Sequence, residues 1–182
     1  MRTILARTAL RPGVIPKVAA PVSRRAFAAS RQLNGQNIIH NSVRRPEDLH
    51  TYLMLSSSSR RPLITLWTTN WCGTCKVVAP LLRELVESGT GEAEGGVAYC
   101  TVEYDCPDMM AGDLGARYMI TAIPTLLSFD AGEAQTDTRT ADARKLADRA
   151  WLEEWIRNEA RRHGGRGGGG KGLFGGLFGS LK

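Results

Sequence analysis

Two cysteines held two residues apart, in Trp71-Cys72-Gly73-Thr74-Cys75-Lys76, are the side chains of this sequence best suited to chemistry. Thiols at that separation close a small disulfide ring with little backbone movement. Attack of a thiolate on a disulfide sulfur is the reaction such a pair performs. The spacing alone says little; its setting gives it force. The apolar run Leu63-Ile64-Thr65-Leu66-Trp67 precedes the pair, a helical pattern containing Pro80 follows it, and Ile123-Pro124-Thr125 stands far downstream.

The elements around the thiols follow from hydrophobic spacing. Residues 37–41 form a short strand about Ile38 and Ile39. Pro46-Glu47-Asp48 opens a helix, since proline suits a first turn and acids suit its positive end. Leu49, Tyr52, Leu53 and Ser56 make its inner face, and residues 56–59 end it. Residues 63–67 read as a strand buried on both faces. The helix starting at Cys72 packs through Val77, Val78, Leu81, Leu82, Leu85 and Val86, and 89–96 is a loop. A second buried strand over 97–104 leads through Asp105-Cys106-Pro107 into a helix near 109–118. Residues 125–129 are the next strand, and Ala131-Gly132 turns into a polar edge strand near 135–139. A helix over 141–160 closes the domain, with Leu146, Ala150, Leu152, Trp155 and Ile156 inward. The order β-α-β-α-β-α-β-β-α predicts an α/β fold, with a mixed central sheet flanked by helices on both faces.

At 182 residues and 42% apolar, the chain holds one domain with appendages. No apolar run reaches the roughly 18 residues of a membrane helix. The formal net charge of +6 belongs to residues 1–27, which carry Arg2, Arg7, Arg11, Lys17, Arg24 and Arg25 and no acid. The remainder has 18 basic and 18 acidic side chains, which argues against binding nucleic acid. The first 27 residues resemble a mitochondrial presequence, rich in arginine and free of acids, with Arg25-Ala26-Phe27 placing cleavage after Phe27. A disordered basic tail is the alternative. No hydrophobic sorting segment follows, which favours the matrix. The expected division is a presequence at 1–27, a linker at 28–35, a folded domain at 36–162 and a disordered glycine-rich tail at 163–182. That tail carries Gly-Leu-Phe-Gly at 172–175 and again at 176–179. Glycine loses too much backbone entropy for so few apolar side chains to order it.

Together the Trp71–Lys76 motif, Pro80, Ile123-Pro124-Thr125-Leu126 and the strand order resemble the thioredoxin family over about residues 36–160. With its leader, the chain is similar to a mitochondrially targeted thioredoxin-like protein. The resemblance implies a thioredoxin-like fold and a thiol–disulfide oxidoreductase that reduces protein disulfides. In it Cys72 is the exposed nucleophile and Cys75 the resolving thiol. Trp71, Gly73, Thr74, Ile123 and Pro124 meet the substrate, with Pro124 cis beside the thiols and the Ile123 backbone pairing with the substrate chain. Lys76 and Pro80 support the site. The only redox group implied is the Cys72–Cys75 disulfide, with no metal and no separate cofactor. Partners are disulfide-bearing clients, with a thioredoxin reductase or the glutathione system as electron source, and the protein is a monomer. Physical chemistry agrees on the thiols: unpaired amides at a helix start favour a thiolate at Cys72, and Pro80 bends a helix without ending it.

The departures from the family are as informative. Leu66 occupies the position, six before the first cysteine, where the family carries a buried acid that handles protons for the second thiol. Thr74 replaces a proline and Thr68 a second tryptophan, and an insertion at 106–110 reshapes the surface beside Ile123-Pro124. An apolar neighbour leaves the Cys75 thiol harder to deprotonate, so resolution is expected to be slow. A binding or adaptor module with little turnover is the alternative function. Four cysteines could also hold zinc, although Cys100 falls within a strand and reads as a small buried hydrophobe. Cys106 lies in a turn open to oxidation. His40, His50 and His163 have no spacing that pairs them with a thiol, and Trp151 and Trp155 read as packing residues.

Overall fold

The computed structural model describes residues 35–162. The expected presequence at 1–27, nearly all of the linker, and the tail at 163–182 with His163 therefore lie outside the described residues.

The continuous apolar run becomes β2 (Leu63–Thr68), buried along all but its last residue, and it is the centre of the sheet. It pairs in parallel with β3 (Ala98–Glu103) and antiparallel with β4 (Thr125–Asp130). Outside β3 lies β1 (Ile38–Ile39), parallel to it, and outside β4 lies β5 (Glu133–Ala134), antiparallel. The sheet is thus mixed, in the order β1-β3-β2-β4-β5. Alternation along β2 sorts the core. Ile64 and Leu66 face α2 (Gly73–Glu87), α5 (Ala143–Ala147) and α6 (Arg149–Ala160), packing with Val78, Leu82, Leu146 and Leu152. Leu63 and Trp67 face α1 (Pro46–Ser59), α3 (Pro107–Ala111) and α4 (Leu114–Arg117), packing with Leu49, Met109 and Leu114. Thr65, on that second face, is satisfied inside the core: its hydroxyl donates to the Leu127 carbonyl and accepts from Trp67 Nε1.

Several boundaries differ from expectation. The serines at 56–59 continue α1, because Ser58 and Ser59 donate to carbonyls three residues back, and the helix ends at Arg60 in the left-handed conformation. The helix expected at 109–118 is two, broken where Gly112 comes so close to Pro46 that a Cβ there would lie 2.8 Å from the proline ring. The helix expected at 141–160 is also two, because Asp148 turns extended and accepts from the amides of Ala150 and Trp151. The edge strand is Glu133–Ala134 rather than 135–139. Ala131 and Gly132 both take positive φ, as a two-residue hairpin requires; the Gln135 amide still donates to the Ser128 carbonyl, and beyond it a bridge joins Leu126 and Thr140. The 89–96 loop contains a 3₁₀ turn at Glu92–Glu94. Val77 is exposed on the outer face of α2 rather than packed. Among the described residues no helix is long and apolar enough to cross a membrane.

Candidate active site

At the end of β2 the chain turns through Thr69-Asn70-Trp71 into α2. Two bonds pin that turn to the end of β3: the Tyr104 amide donates to the Thr68 carbonyl, and the Asn70 amide donates to Asp105 Oδ2, both at 2.8 Å. Cys72 is the N-cap of α2, and its sulfur accepts from the Cys75 amide at 3.1 Å. Cys72 and Cys75 form a disulfide with their Cα atoms 5.3 Å apart, within the usual span of such a bond. The capping sulfur occupies the place of the thiolate in the reduced form. There it meets a helix end whose amides lack intrahelical partners and whose dipole favours negative charge.

The expected exposed nucleophile is recessed instead. Cys72 is 7% and Cys75 4% exposed, since capping and the S–S bond fold both sulfurs against the helix end. Trp71 projects beside them at 76% exposure, and Gly73 and Thr74 are open to solvent on the first turn. Lys76 is also exposed, and α2 runs unbroken through Pro80.

The Ile123-Pro124 bond is cis. Thr125 pairs with Trp67 across the β2–β4 ladder, so Pro124 lies at the sheet end from which the Trp71-Cys72 turn emerges. Thr125 Oγ1 donates to the Ala122 carbonyl at 2.6 Å, anchoring the proline turn. Ile123 is partly buried against the core cluster around Trp67 and Phe129.

Beneath α2, Leu66 is fully buried and packs with Val78 and Leu82. Beside Cys75 a cleft of about 270 Å³ is bordered by Thr69, Lys76, Ala79, Thr101 and Glu103. Glu103 was not legible as a site residue. It follows Thr101 by two on β3, so it shares a face, and Thr101 stands opposite Leu66 only through a pairing between distant segments. Asp105 was missed for the same reason.

The remaining cysteines are kept apart from this site. Cys100 is fully buried in the cluster on the other sheet face, and burial pushes its thiol well up. Cys106 is partly covered. Burial first, then the charge and hydrogen bond of Glu103, raise its thiol, 3.7 Å from Glu103 Oε2. Both effects disfavour the thiolate, the form that oxidation at this turn position requires. The four cysteines do not converge on a zinc site, and among the described residues no three metal-ligating side chains cluster. His40 stacks on Tyr52 at 4.3 Å and His50 is exposed on α1. Trp155 is buried with Nε1 donating to the Thr138 carbonyl, and Trp151 stacks on it.

The family model described as Thioredoxin matches residues 47–154. Among curated relatives, a Staphylococcus epidermidis thioredoxin is 37% identical over 71 residues, covering 39% of this chain and 60% of that protein. The chloroplastic M-type thioredoxin of Triticum aestivum is 35% identical over 72 residues, covering 39% and 35% respectively. The chain therefore spans 60% or less of the length of these relatives. Among solved structures, a wild-type poplar thioredoxin h superposes with a TM-score of 0.52 at 21% identity, covering 66% of this chain and 94% of that one. A Fasciola hepatica thioredoxin gives 0.50 at 22% identity, covering 66% and 99%. At these identities the superpositions establish the fold.

Proposed function

Because the chain belongs to the thioredoxin family, we propose that it is a thiol–disulfide oxidoreductase that reduces protein disulfides in mitochondria. The Cys72 thiolate attacks a client disulfide, forming a mixed disulfide and releasing one client thiolate. Cys75 then attacks Cys72 Sγ, the second client sulfur leaves, and the pair remains joined as a disulfide. Trp71, Gly73 and Thr74, with the cis Ile123-Pro124 turn at the same sheet end, form the client-facing surface. Because both cysteines are recessed, a client must bring its disulfide close against the start of α2. The electron source in this reading is a thioredoxin reductase, with glutathione as the other candidate. A similar Mycobacterium leprae protein bears the name bifunctional thioredoxin reductase/thioredoxin.

The observation that carries the reading is the Cys72–Cys75 disulfide at the N-cap of α2, flanked by a projecting tryptophan. Insulin reduction by dithiothreitol tests it. The full chain accelerates precipitation and Cys72→Ser does not; equal rates for both would end the proposal. The matrix location is supported by the acid-free, arginine-rich leader. Import into isolated mitochondria with processing after Phe27 checks it, and a chain that stays unprocessed outside refutes it.

The buried Leu66 favours a second reading, an adaptor that holds clients with little turnover. An adaptor binds the same clients when Cys75→Ser and Cys72→Ser are combined. An exchanger captures them covalently through Cys72 in Cys75→Ser alone.

A further inference from the structure

Before Cys75 can attack, its thiol must lose a proton, and the packing under α2 provides nothing to take it. Leu66 is fully buried there among Val78, Leu82 and Leu126. The cleft beside Cys75 has room, at about 270 Å³, for several waters of roughly 30 Å³ each. Glu103 borders it with an 18% exposed side chain. Its Oε2 accepts from Arg44 Nε at 2.9 Å and from Cys106 Sγ at 3.7 Å, so one carboxylate oxygen is anchored while Oε1 has no donor among the described residues. Thr69, on the same wall, has a buried hydroxyl without a partner among the described residues. Such groups are ordinarily completed by water.

We propose that Glu103 receives the Cys75 proton through water in this cleft, with Arg44 fixing the carboxylate; the inference rests on the dithiol reading above. Cys75 gives its proton to a cleft water as that water passes one to Glu103. The freed electron pair of Cys75 forms the bond to Cys72 Sγ, the bond from Cys72 to the client sulfur breaks, and its pair leaves on that sulfur. The client thiolate is then protonated from Glu103 or from solvent, and no other oxidant or reductant takes part. Glu103 touches neither sulfur, so it is a positioning residue that acts through water. Charged and titratable groups surround it from several elements: Arg44, from the segment before α1, and Cys106, from the turn after β3, donate to it, Lys76 of α2 lines the same cleft, and Asp105 lies in the turn beside Cys106.

Single-turnover kinetics of the reduced full chain against a disulfide-linked peptide separates the two steps. Formation of the mixed disulfide reports Cys72, and peptide release reports Cys75. Both are followed from about pH 6 to about pH 9, approaching the range where free thiols ionise. Glu103→Gln is expected to slow release by about tenfold or more near neutrality, with the gap closing toward the alkaline end, where hydroxide removes the proton directly. The first step is unchanged, and Glu103→Asp restores most of the release rate. Release by Glu103→Gln equal to the parent at every pH overturns the proposal, as does a loss of constant size across the range. If the parent forms no mixed disulfide at all, the dithiol reading falls and this inference with it.

Discussion

Replacing Leu66 with aspartate tests whether the space beneath the redox helix is as dry as its packing requires. Leu66 has no exposed surface and lies among Ile64, Val78, Leu82 and Leu126. Truncating a leucine in such a site costs about 2–5 kcal/mol, and a buried polar group without a partner adds about 1–3 kcal/mol. Leu66→Asn is therefore expected to lose about 3 kcal/mol or more, a large share of a domain's total of about 5–15 kcal/mol. Aspartate adds a term that depends on pH. Burial raises the carboxyl's pKa in the folded state above the value of about 3.9 in the unfolded chain. Below that value both states hold the proton, and the Asp and Asn variants behave alike. Above it the unfolded chain ionises first, so the Asp variant loses about 1.4 kcal/mol per pH unit relative to Asn until its folded pKa is passed. A folded value raised by about two units leaves the variants about 2.7 kcal/mol apart at neutral pH. Urea unfolding of the oxidised protein, from about pH 4 to about pH 7, measures the difference through the denaturant midpoints. Identical midpoints at every pH would refute the reasoning, because they would mean that water or a cation reaches position 66.

Asp148→Ala removes the side chain that accepts from the Ala150 and Trp151 amides at the start of α6. A loss of about 1 kcal/mol is expected, read by urea unfolding; an unchanged midpoint would show that the cap carries no weight. Alkaline pH should expose Cys100 in the reduced protein. Burial raises its thiol in the folded state, whereas an unfolded thiol ionises near about 8.5. Folding is therefore undisturbed below that pH and weakens as pH rises above it. Cys100→Ala should flatten that decline without abolishing it, since Tyr99 and Cys106 are raised in the same direction. An equal slope in parent and variant would refute the assignment.

What was legible in the sequence was what local pattern encodes. The run at 63–67 gave a central strand because burial on both faces leaves no alternation, and the helix after Cys72 showed through Val78, Leu82, Leu85 and Val86. Single residues that interrupt a good helical period were not legible. Asp148 and the Gly112-Asp113 pair break helices because one caps and the other meets Pro46, and neither signal alters the apolar spacing. The two-residue β5 is too short for any alternation to show. At the site, the disulfide spacing and the proline turn were readable, whereas the recess of Cys72 arises from its own capping geometry. Glu103 required the register that sets Leu66 opposite Thr101, which no local segment contains.

If the chain exchanges disulfides as proposed, that register also bears on whether a client is released or held. The end of α2 eases negative charge at Cys72, whose sulfur accepts from the Cys75 amide, and gives no comparable help to Cys75. With Leu66 in the core beneath the helix, the cleft bordered by Lys76 and Glu103 is the route proposed for deprotonating Cys75. A client that leaves this cleft wet lets resolution proceed and is released. A client broad enough to cover Thr69, Lys76 and Glu103 expels the water that carries the proton, and its mixed disulfide persists. On that reading the same two thiols are expected to turn over one class of partner and retain another, with the footprint of the client rather than the chemistry of the pair deciding between them.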